Sequence, residues 1–276
     1  MASLRWIDQP PLEDRVALVT FEGWGDAGES ASQAAMRFLE VFESDLIATF
    51  DPEEHFDFQV RRPIVVLEEG GTRRLEWPET RVHAVRTGEL ELVLVIGEEP
   101  NYKWRAFTAE LVEALQTLGV TRVVTLGAFI GQVAHTLPVP LIGTASRPET
   151  LSLHGLLPSG YEGPTGILGV LNQALTTAGI EVISVWAAVP HYLSNQDYPP
   201  ATEALAVKAS ELLGLTLDVG ELTSRARQFR STVDEAIGSN AELRRYVEQL
   251  EGEAVEEERG QADRLVEEIE DFLKDR

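Results

Sequence analysis

Five short apolar runs, each followed at once by a glycine-rich or charged turn, constrain the fold of this chain more than any other feature. Unbroken apolar runs of this length are typical of strands that are buried on both faces, as in parallel sheets. The turns that follow the runs are Gly23–Gly28, Glu68–Gly71, Gly97–Trp104, Gly127–Gly131 and Val189–Tyr192. Because open α/β sheets carry their sites at the carboxyl ends of the strands, we expect one functional edge there.

Helical patterns alternate with these runs. Apolar spacing predicts helices over residues 29–42, 104–118 and 165–178, with Thr165 as the cap of the third, and a further helix that Pro199 opens and Gly214 ends. Regular alternation of strand and helix predicts an α/β domain over residues 1–217, with a mainly parallel sheet flanked by helices.

The sequence pattern changes near residue 218, where runs of β-branched residues stop and apolar residues recur at helical spacing. We predict a small helical extension over residues 218–276, broken near Gly238. Its two helices would each bury one apolar face, and the members of these faces are Leu222, Ala226, Phe229, Val233, Ile237, Leu243, Tyr246, Val247 and Leu250. After residue 252 the extension is strongly acidic, and we expect it to be solvated or partner-facing, and flexible.

Composition excludes several function classes. The formal net charge of −23 opposes binding to nucleic acid and to anionic membrane surfaces. Absence of cysteine excludes disulfides, thiolate zinc sites and a cysteine nucleophile. No apolar stretch reaches the roughly 18 residues of a membrane span, and the first residues lack the apolar core of a signal peptide, so we expect a cytoplasmic protein with neither nucleic acid nor membrane as partner.

The spacing Gly23-x-Gly25-x-x-Gly28 after a strand matches a dinucleotide-binding fingerprint, with Asp51 as the candidate ribose ligand. The charge of Asp26 disagrees with this interpretation, since it would place a carboxylate beside the negatively charged pyrophosphate. A glycine turn that lets strand and helix pack tightly is the favoured interpretation.

The segment Gly97-Glu98-Glu99-Pro100 places two carboxylates at a predicted strand end. Paired carboxylates can serve as acid and base or hold a metal, but a polar turn before a helix explains the same residues. Trp104 and Arg105 would bring contact groups to the same edge.

Two histidines, His135 and His191, follow predicted strands as well. With Asp26 and Glu98 they would form a metal or proton-transfer set if the fold brought them together, whereas a lone loop histidine is more often a structural hydrogen-bonding group. No Gly-x-Ser-x-Gly elbow supplies a nucleophile. The candidate catalytic residues are Asp26, Glu98, His135 and His191; the candidate ligand-binding residues are Gly25, Asp26, Gly97, Glu98, Trp104, Arg105, His135, His191 and Tyr192. No cofactor and no resident metal is predicted.

The same segments resemble the proteasome assembly chaperone family, in the branch related to the second eukaryotic chaperone subunit and found in actinobacteria. The matching segments are Gly25–Gly28, Arg62–Pro63, Gly97–Pro100 with Trp104, Gly127–Phe129 with His135–Thr136, Pro164–Gly166, Val189–Tyr192 and Tyr246–Glu251. The resemblance implies a phosphorylase/hydrolase-like α/β fold with a small C-terminal helical element, and it implies no established reaction.

Two hypotheses follow. In the first, the protein acts through binding of a protein or a small molecule at the carboxyl edge of the sheet, without catalysis, as a homo-oligomer for which the phosphorylase-like fold makes a trimer plausible. In the second, it is a hydrolase- or phosphorylase-type enzyme that uses the carboxylates and histidines of that edge.

Overall fold

The computed structural model describes residues 3–8, 15–68, 70–88 and 90–256 of the 276-residue chain. The strands are β1 Leu4–Trp6, β2 Arg15–Glu22, β3 Glu43–Phe50, β4 Ile64–Leu67, β5 Arg73–Glu76, β6 Thr80–Arg86, β7 Glu91–Glu98, β8 Val120–Gly131, β9 Leu141–Ala145, β10 Leu157–Pro158 and β11 Glu181–Pro190. The helices are α1 Ser30–Val41, α2 Pro52–His55, α3 Trp104–Thr117, α4 Glu149–Leu153, α5 Ile167–Thr177, α6 Pro199–Leu213, α7 Gly220–Gly238 and α8 over 241–256.

Within the described residues the main sheet has nine strands in the order β1-β3-β6-β7-β2-β8-β11-β9-β10. The four central strands, β7, β2, β8 and β11, are parallel, as the apolar runs predict. On either side, β1, β3, β6 and β9 run antiparallel to their inner neighbours. The sheet is therefore mixed, because short edge strands with alternating rather than continuous apolar residues pair antiparallel and escape a search for buried runs.

The run Ile64–Leu67 is not a buried strand of this sheet, contrary to the sequence prediction. As β4 it pairs only with β5, in a separate two-stranded antiparallel ribbon. Strands β3 and β6 are antiparallel, so the segment that joins them, residues 51–79, lies at the same edge as the carboxyl ends of the central strands. Four apolar residues in a row look alike whether a sheet buries them or a hairpin exposes them.

Helices cover both faces of the sheet. Residues of α1, α6, α7 and α8 share one core with one sheet face, whereas α3 and α5 pack on the other face. Gly119, Gly179 and Gly214 follow α3, α5 and α6 and adopt positive φ angles of 69°, 79° and 71°. The predicted glycine stops are thus confirmed.

The C-terminal helices bury most of the apolar residues that the sequence assigns to them. Leu222, Val233, Val247 and Leu250 all lie in the core that α1 and α6 form with the sheet. Leu243 is exposed, contrary to expectation. The acidic segment 257–276 lies outside the described residues. None of the helices in the described part combines the length and the hydrophobicity that crossing a bilayer requires.

Candidate functional site

The turn after β2 forms the centre of the carboxyl edge. Gly25 accepts a backbone hydrogen bond from Ala128 at 2.7 Å, which ties the turn to the end of β8. A Cβ atom on Gly127 would come within 2.6 Å of the Trp186 ring, and one on Gly25 within 3.2 Å. Both glycines therefore give the indole room to lie flat against the backbone, which is the packing interpretation of the glycine spacing.

Asp26 accepts hydrogen bonds from the backbone amides at the start of α1, so these amides are not available to a phosphate. Its Oδ1 atom accepts hydrogen bonds from the backbone amides of Ala31 at 2.7 Å and Ser32 at 3.2 Å. Burial raises the pKa of Asp26, and the bonds from Ser32 and Ala31 offset that rise in part. The amides that a dinucleotide fingerprint would offer to a pyrophosphate are occupied by the protein's own carboxylate.

Gly28 and Asp51, which belong to the same fingerprint, also contact other groups of the protein. Gly28 has a φ of 61°, and a Cβ atom there would lie 2.9 Å from the Cβ of Tyr198. Asp51, the candidate ribose ligand, accepts from the amide of Glu53 and pairs with Arg5. These contacts favour the interpretation of Gly23–Gly28 as a packing turn.

Two carboxylates next to this turn belong to Glu22 and Glu98. The Oε2 atom of Glu98 lies 2.7 Å from Nε of Arg61, a residue of the segment between β3 and β6. Partial removal from solvent raises the pKa of Glu22, and the charges of Glu98 and Asp26 add to the rise while Arg61 opposes it. Arg61 therefore compensates an acidic cluster and anchors segment 51–79 to the edge.

Glu99, the next residue along the chain, binds the start of α5. Its Oε1 atom accepts a hydrogen bond from the Ile167 amide at 2.8 Å, and the capping residue is Gly166. The predicted cap, Thr165, makes no such contact. A carboxylate that follows the distant strand β7 thus accepts the hydrogen bond at the helix start that the sequence analysis assigns to the hydroxyl of Thr165.

Three further candidate residues near Glu98, namely Gly97, Trp104 and Arg105, contact the backbone or the solvent. A Cβ atom on Gly97 would lie 2.2 Å from the carbonyl oxygen of Glu79, so this glycine permits the close approach of the chain that leads into β6. Trp104 donates from its indole to the carbonyl of Pro100 and packs on the α3 side of the core. Arg105 is exposed on the first turn of α3.

The two predicted histidines meet on the opposite face, around Tyr192. The Tyr192 hydroxyl lies 2.8 Å from Nδ1 of His135, and the Tyr192 ring packs edge-to-face on the rings of both His135 and His191. Nε2 of His135 lies 3.1 Å from Oδ1 of Asp234 in α7, and Nε2 of His191 lies 3.1 Å from the hydroxyl of Tyr246 in α8. Each histidine thus bridges the α/β body to a C-terminal helix.

The four candidate catalytic side chains therefore have three sets of partners. Asp26 binds α1 amides, Glu98 binds Arg61, and the histidines bind Tyr192 and the C-terminal helices. No three His, Asp or Glu side chains of the described chain are grouped so as to hold a metal ion. The sequence gives no sign of Asp234 or Arg61 as partners, because both reach the edge from elements distant along the chain.

Concave space beside the central turn is small. The cavity beside the central turn is lined by Phe21, Gly25, Glu99, Gly166, Ile167, Leu168 and Trp186, and its volume is about 10 Å³. A single water molecule needs about that much room. Trp24, by contrast, projects outward from the turn with 62% of its surface exposed.

Comparison with known proteins places the chain among close relatives. The PAC2 family model matches residues 20–237. A PAC2 family protein of Streptomyces avermitilis is 42% identical, with a TM-score of 0.77 over 85% of this chain and 100% of that chain. A Mycobacterium tuberculosis proteasome-assembly chaperone homologue is 38% identical, with a TM-score of 0.77 over 84% of this chain and 99% of that one.

More distant structures share the fold. Pyrococcus furiosus PbaB, an archaeal proteasome activator, is 14% identical, with a TM-score of 0.67 over 86% of this chain and 99% of that chain. No curated protein matched the sequence.

Proposed function

The chain belongs to the PAC2 family, and we propose that it is a cytoplasmic binding protein that takes part in proteasome assembly through protein contacts at the carboxyl edge of its sheet. The description of the Mycobacterium tuberculosis relative as a proteasome-assembly chaperone homologue supports the choice of a proteasome subunit as partner. In this proposal the edge binds protein and catalyses no reaction.

The exposed indole of Trp24 is the observation that carries the proposal. Its ring lies beside Gly166, where an added Cβ would come within 3.2 Å of it, and the turn that bears it is tied to β8 by the bond between Ala128 and Gly25. A large aromatic side chain that is both exposed and held in place is typical of the anchors that dominate protein interfaces. The carboxylates of Glu29 and Glu98 act on that of Glu22 on either side of the turn that bears Trp24, and they suit a partner surface with lysine or arginine around an apolar pocket.

Size favours a protein over a small molecule at the central turn that carries Trp24. The cavity of about 10 Å³ is far below the roughly 300 Å³ or more that small-molecule sites usually offer. The hydrolase or phosphorylase alternative gains no support, because the carboxylates and histidines that it needs bind separate structural partners. The phosphorylase/hydrolase likeness of the fold, and the trimer that it makes plausible, stay predictions, whereas self-association in general belongs to the proposal.

Binding of purified chain to the proteasome core subunits of the same organism, measured by biolayer interferometry, tests the proposal. We expect Trp24→Ala to weaken binding at least tenfold without lowering the melting temperature. Leu153→Ala, which removes another exposed apolar side chain on α4, is the matched control and should bind as the unaltered chain does. Absence of binding by the unaltered chain, or equal binding by Trp24→Ala, would overturn the proposal.

A further inference from the structure

We propose that a groove between α6 and α7 binds a free α-amino acid, with the carboxylate of the ligand on two arginines and its ammonium group on two acidic side chains. The groove has a volume of about 370 Å³ and shares no residue with the turn that bears Trp24. Its lining residues are Glu203 of α6 and Thr223, Arg227, Arg230, Ser231 and Asp234 of α7. This inference goes beyond the proposed function, because it assigns a small-molecule site and needs no proteasome subunit.

Two packed helices form the walls of the groove. The five lining residues of α7 lie on one side of that helix, because each is three or four residues from another. Glu203 faces them from the first half of α6. Next to the groove, the rings of Tyr198 and Phe229 pack edge-to-face at 5.6 Å and hold the two helices together. A volume of about 370 Å³ lies within the range of roughly 300 to 1,000 Å³ that small-molecule sites usually offer.

The two arginines of the groove have no carboxylate partner, although the chain contains 46 acidic and only 23 basic residues. No ion pair within the described residues includes Arg227 or Arg230. Asp234 lies one helical turn after Arg230, but its Oδ1 atom contacts Nε2 of His135 at 3.1 Å. Like charges three residues apart on a helix repel each other, so a carboxylate bound between the two guanidinium groups would stabilise both.

Two hydroxyl groups of the groove are also without hydrogen-bond partners. Elsewhere in α7, Oγ of Ser224 and Oγ1 of Thr232 each donate to the carbonyl four residues earlier, at 2.9 and 3.0 Å. The hydroxyls of Thr223 and Ser231 make no such bond in the part of the chain that the structure describes. They can therefore donate to a carboxylate that the arginines hold.

Glu203 and Asp234 determine what the other end of the ligand carries. A ligand with negative charge alone would meet these two carboxylates as well as the arginines, and the like charges would repel it. Because His135 contacts Oδ1 of Asp234, Oδ2 is left for a further donor. An ammonium group has three N–H donors and can bind both acidic side chains.

The charge of the whole chain points to the same class of ligand. A formal net charge of −23 repels molecules that are negatively charged overall, such as phosphate esters. A zwitterion has no net charge and is not repelled at a distance, and the two arginines and two carboxylates of the groove complement its two ends. An α-amino acid combines both ends in one molecule that is small enough for the groove.

Thermal unfolding of the full chain with each of the standard L-amino acids tests the proposal. We expect at least one of them to raise the melting temperature in a saturable manner, because a ligand that binds only the folded state stabilises it. The matching acid without the amino group, the matching amine without the carboxylate, and inorganic phosphate should each leave the melting temperature unchanged. Absence of any stabilising amino acid, or equal stabilisation by one of these three controls, would overturn the proposal.

Isothermal titration calorimetry of single variants, with the amino acid that stabilises most, locates the site. We expect Arg227→Gln, Arg230→Gln and Glu203→Gln each to weaken binding at least tenfold, since each removes a charged contact. Arg225→Gln, which removes an exposed arginine of the same helix outside the groove, is the matched control and should bind as the unaltered chain does.

Equal melting temperatures without ligand would show that the variants are folded. Unchanged affinity in Arg227→Gln and Arg230→Gln, or an equal loss in Arg225→Gln, would overturn the assignment of the groove. Trp24→Ala should bind the amino acid as the unaltered chain does, so this proposal and that of proteasome binding can fail separately.

Discussion

The hydroxyl of Tyr192 lies 2.9 Å from the backbone nitrogen of His135 and 2.8 Å from Nδ1 of its ring. The amide can only donate, so the hydroxyl accepts from it. The carboxylate of Asp234 can only accept, so Nε2 of His135 donates to it at 3.1 Å. With the ring proton on Nε2, Nδ1 accepts from the Tyr192 hydroxyl, and this chain of hydrogen bonds joins the body to α7.

Tyr192→Phe should lower the free energy of unfolding by about 1–3 kcal/mol, because it leaves the amide and Nδ1 of buried His135 without a partner. Tyr246→Phe is the matched control. It removes only the bond to His191 near the surface and should cost at most about 1 kcal/mol. Urea unfolding measures both, and equal losses would contradict a special role for the Tyr192 hydroxyl.

Gly127→Ala should destabilise the protein by about 1–3 kcal/mol, because the new Cβ would lie 2.6 Å from the Trp186 ring. The three atoms nearest to the new Cβ all belong to the indole of Trp186, so we expect the penalty to depend on this ring. In a Trp186→Leu background we expect Gly127→Ala to cost little. A double-mutant cycle by urea unfolding checks this dependence, and a penalty that persists without the indole would refute it.

The sequence predicts the central sheet, its helices and its glycine stops, because buried runs and helical periodicity are local signals. It fails for Ile64–Leu67, since a run of four apolar residues does not show what covers it. It finds His135 and His191, but their partners Asp234 and Tyr246 lie 99 and 55 residues away along the chain. Nothing local marks such pairs, so the structural role of both histidines becomes apparent only in the fold.

Acidification should destabilise the protein through His55. Burial lowers the pKa of His55, whose Nε2 lies 2.6 Å from the Ser3 hydroxyl, and burial lowers the pKa of His83 in the same way. The unfolded chain therefore takes up the proton first, and stability that is full above pH of about 6.5 is lost as the pH falls below that value.

His55→Gln should flatten this loss between pH of about 6.5 and 5, with thermal unfolding across that range as the measurement. The raised pKa values of Glu22 and Asp26 act with the opposite sign, because the folded state takes up their protons first. His154→Gln, which removes a histidine near the surface beside Glu211, is the control and should keep the original profile. An unchanged profile for His55→Gln would show that other groups control the pH dependence.

Deletion of the C-terminal helices should separate a structural segment from a dispensable one. A chain that ends at Glu251 keeps the buried side chains of Val247 and Leu250 and the bond between Thr136 and Glu251. We expect its melting temperature and its oligomeric state to match those of the full chain. A chain that ends at Leu217 loses α7 and α8, and with them the cover of the α6 face.

The second deletion also uncovers particular groups of the body. Tyr198 loses the ring of Phe229, which packs edge-to-face on it at 5.6 Å, and buried His135 loses Asp234. Each fully buried aliphatic side chain on the lost helices contributes about 1.5–3 kcal/mol, and the members of that set are Leu222, Val233, Ile237, Val247 and Leu250. Their sum is comparable to the whole stability of a typical domain, so we expect aggregation or a large fall in melting temperature. Thermal melts and size-exclusion chromatography of both deletions decide the matter, and a soluble, equally stable body that ends at Leu217 would disprove the role given to these helices.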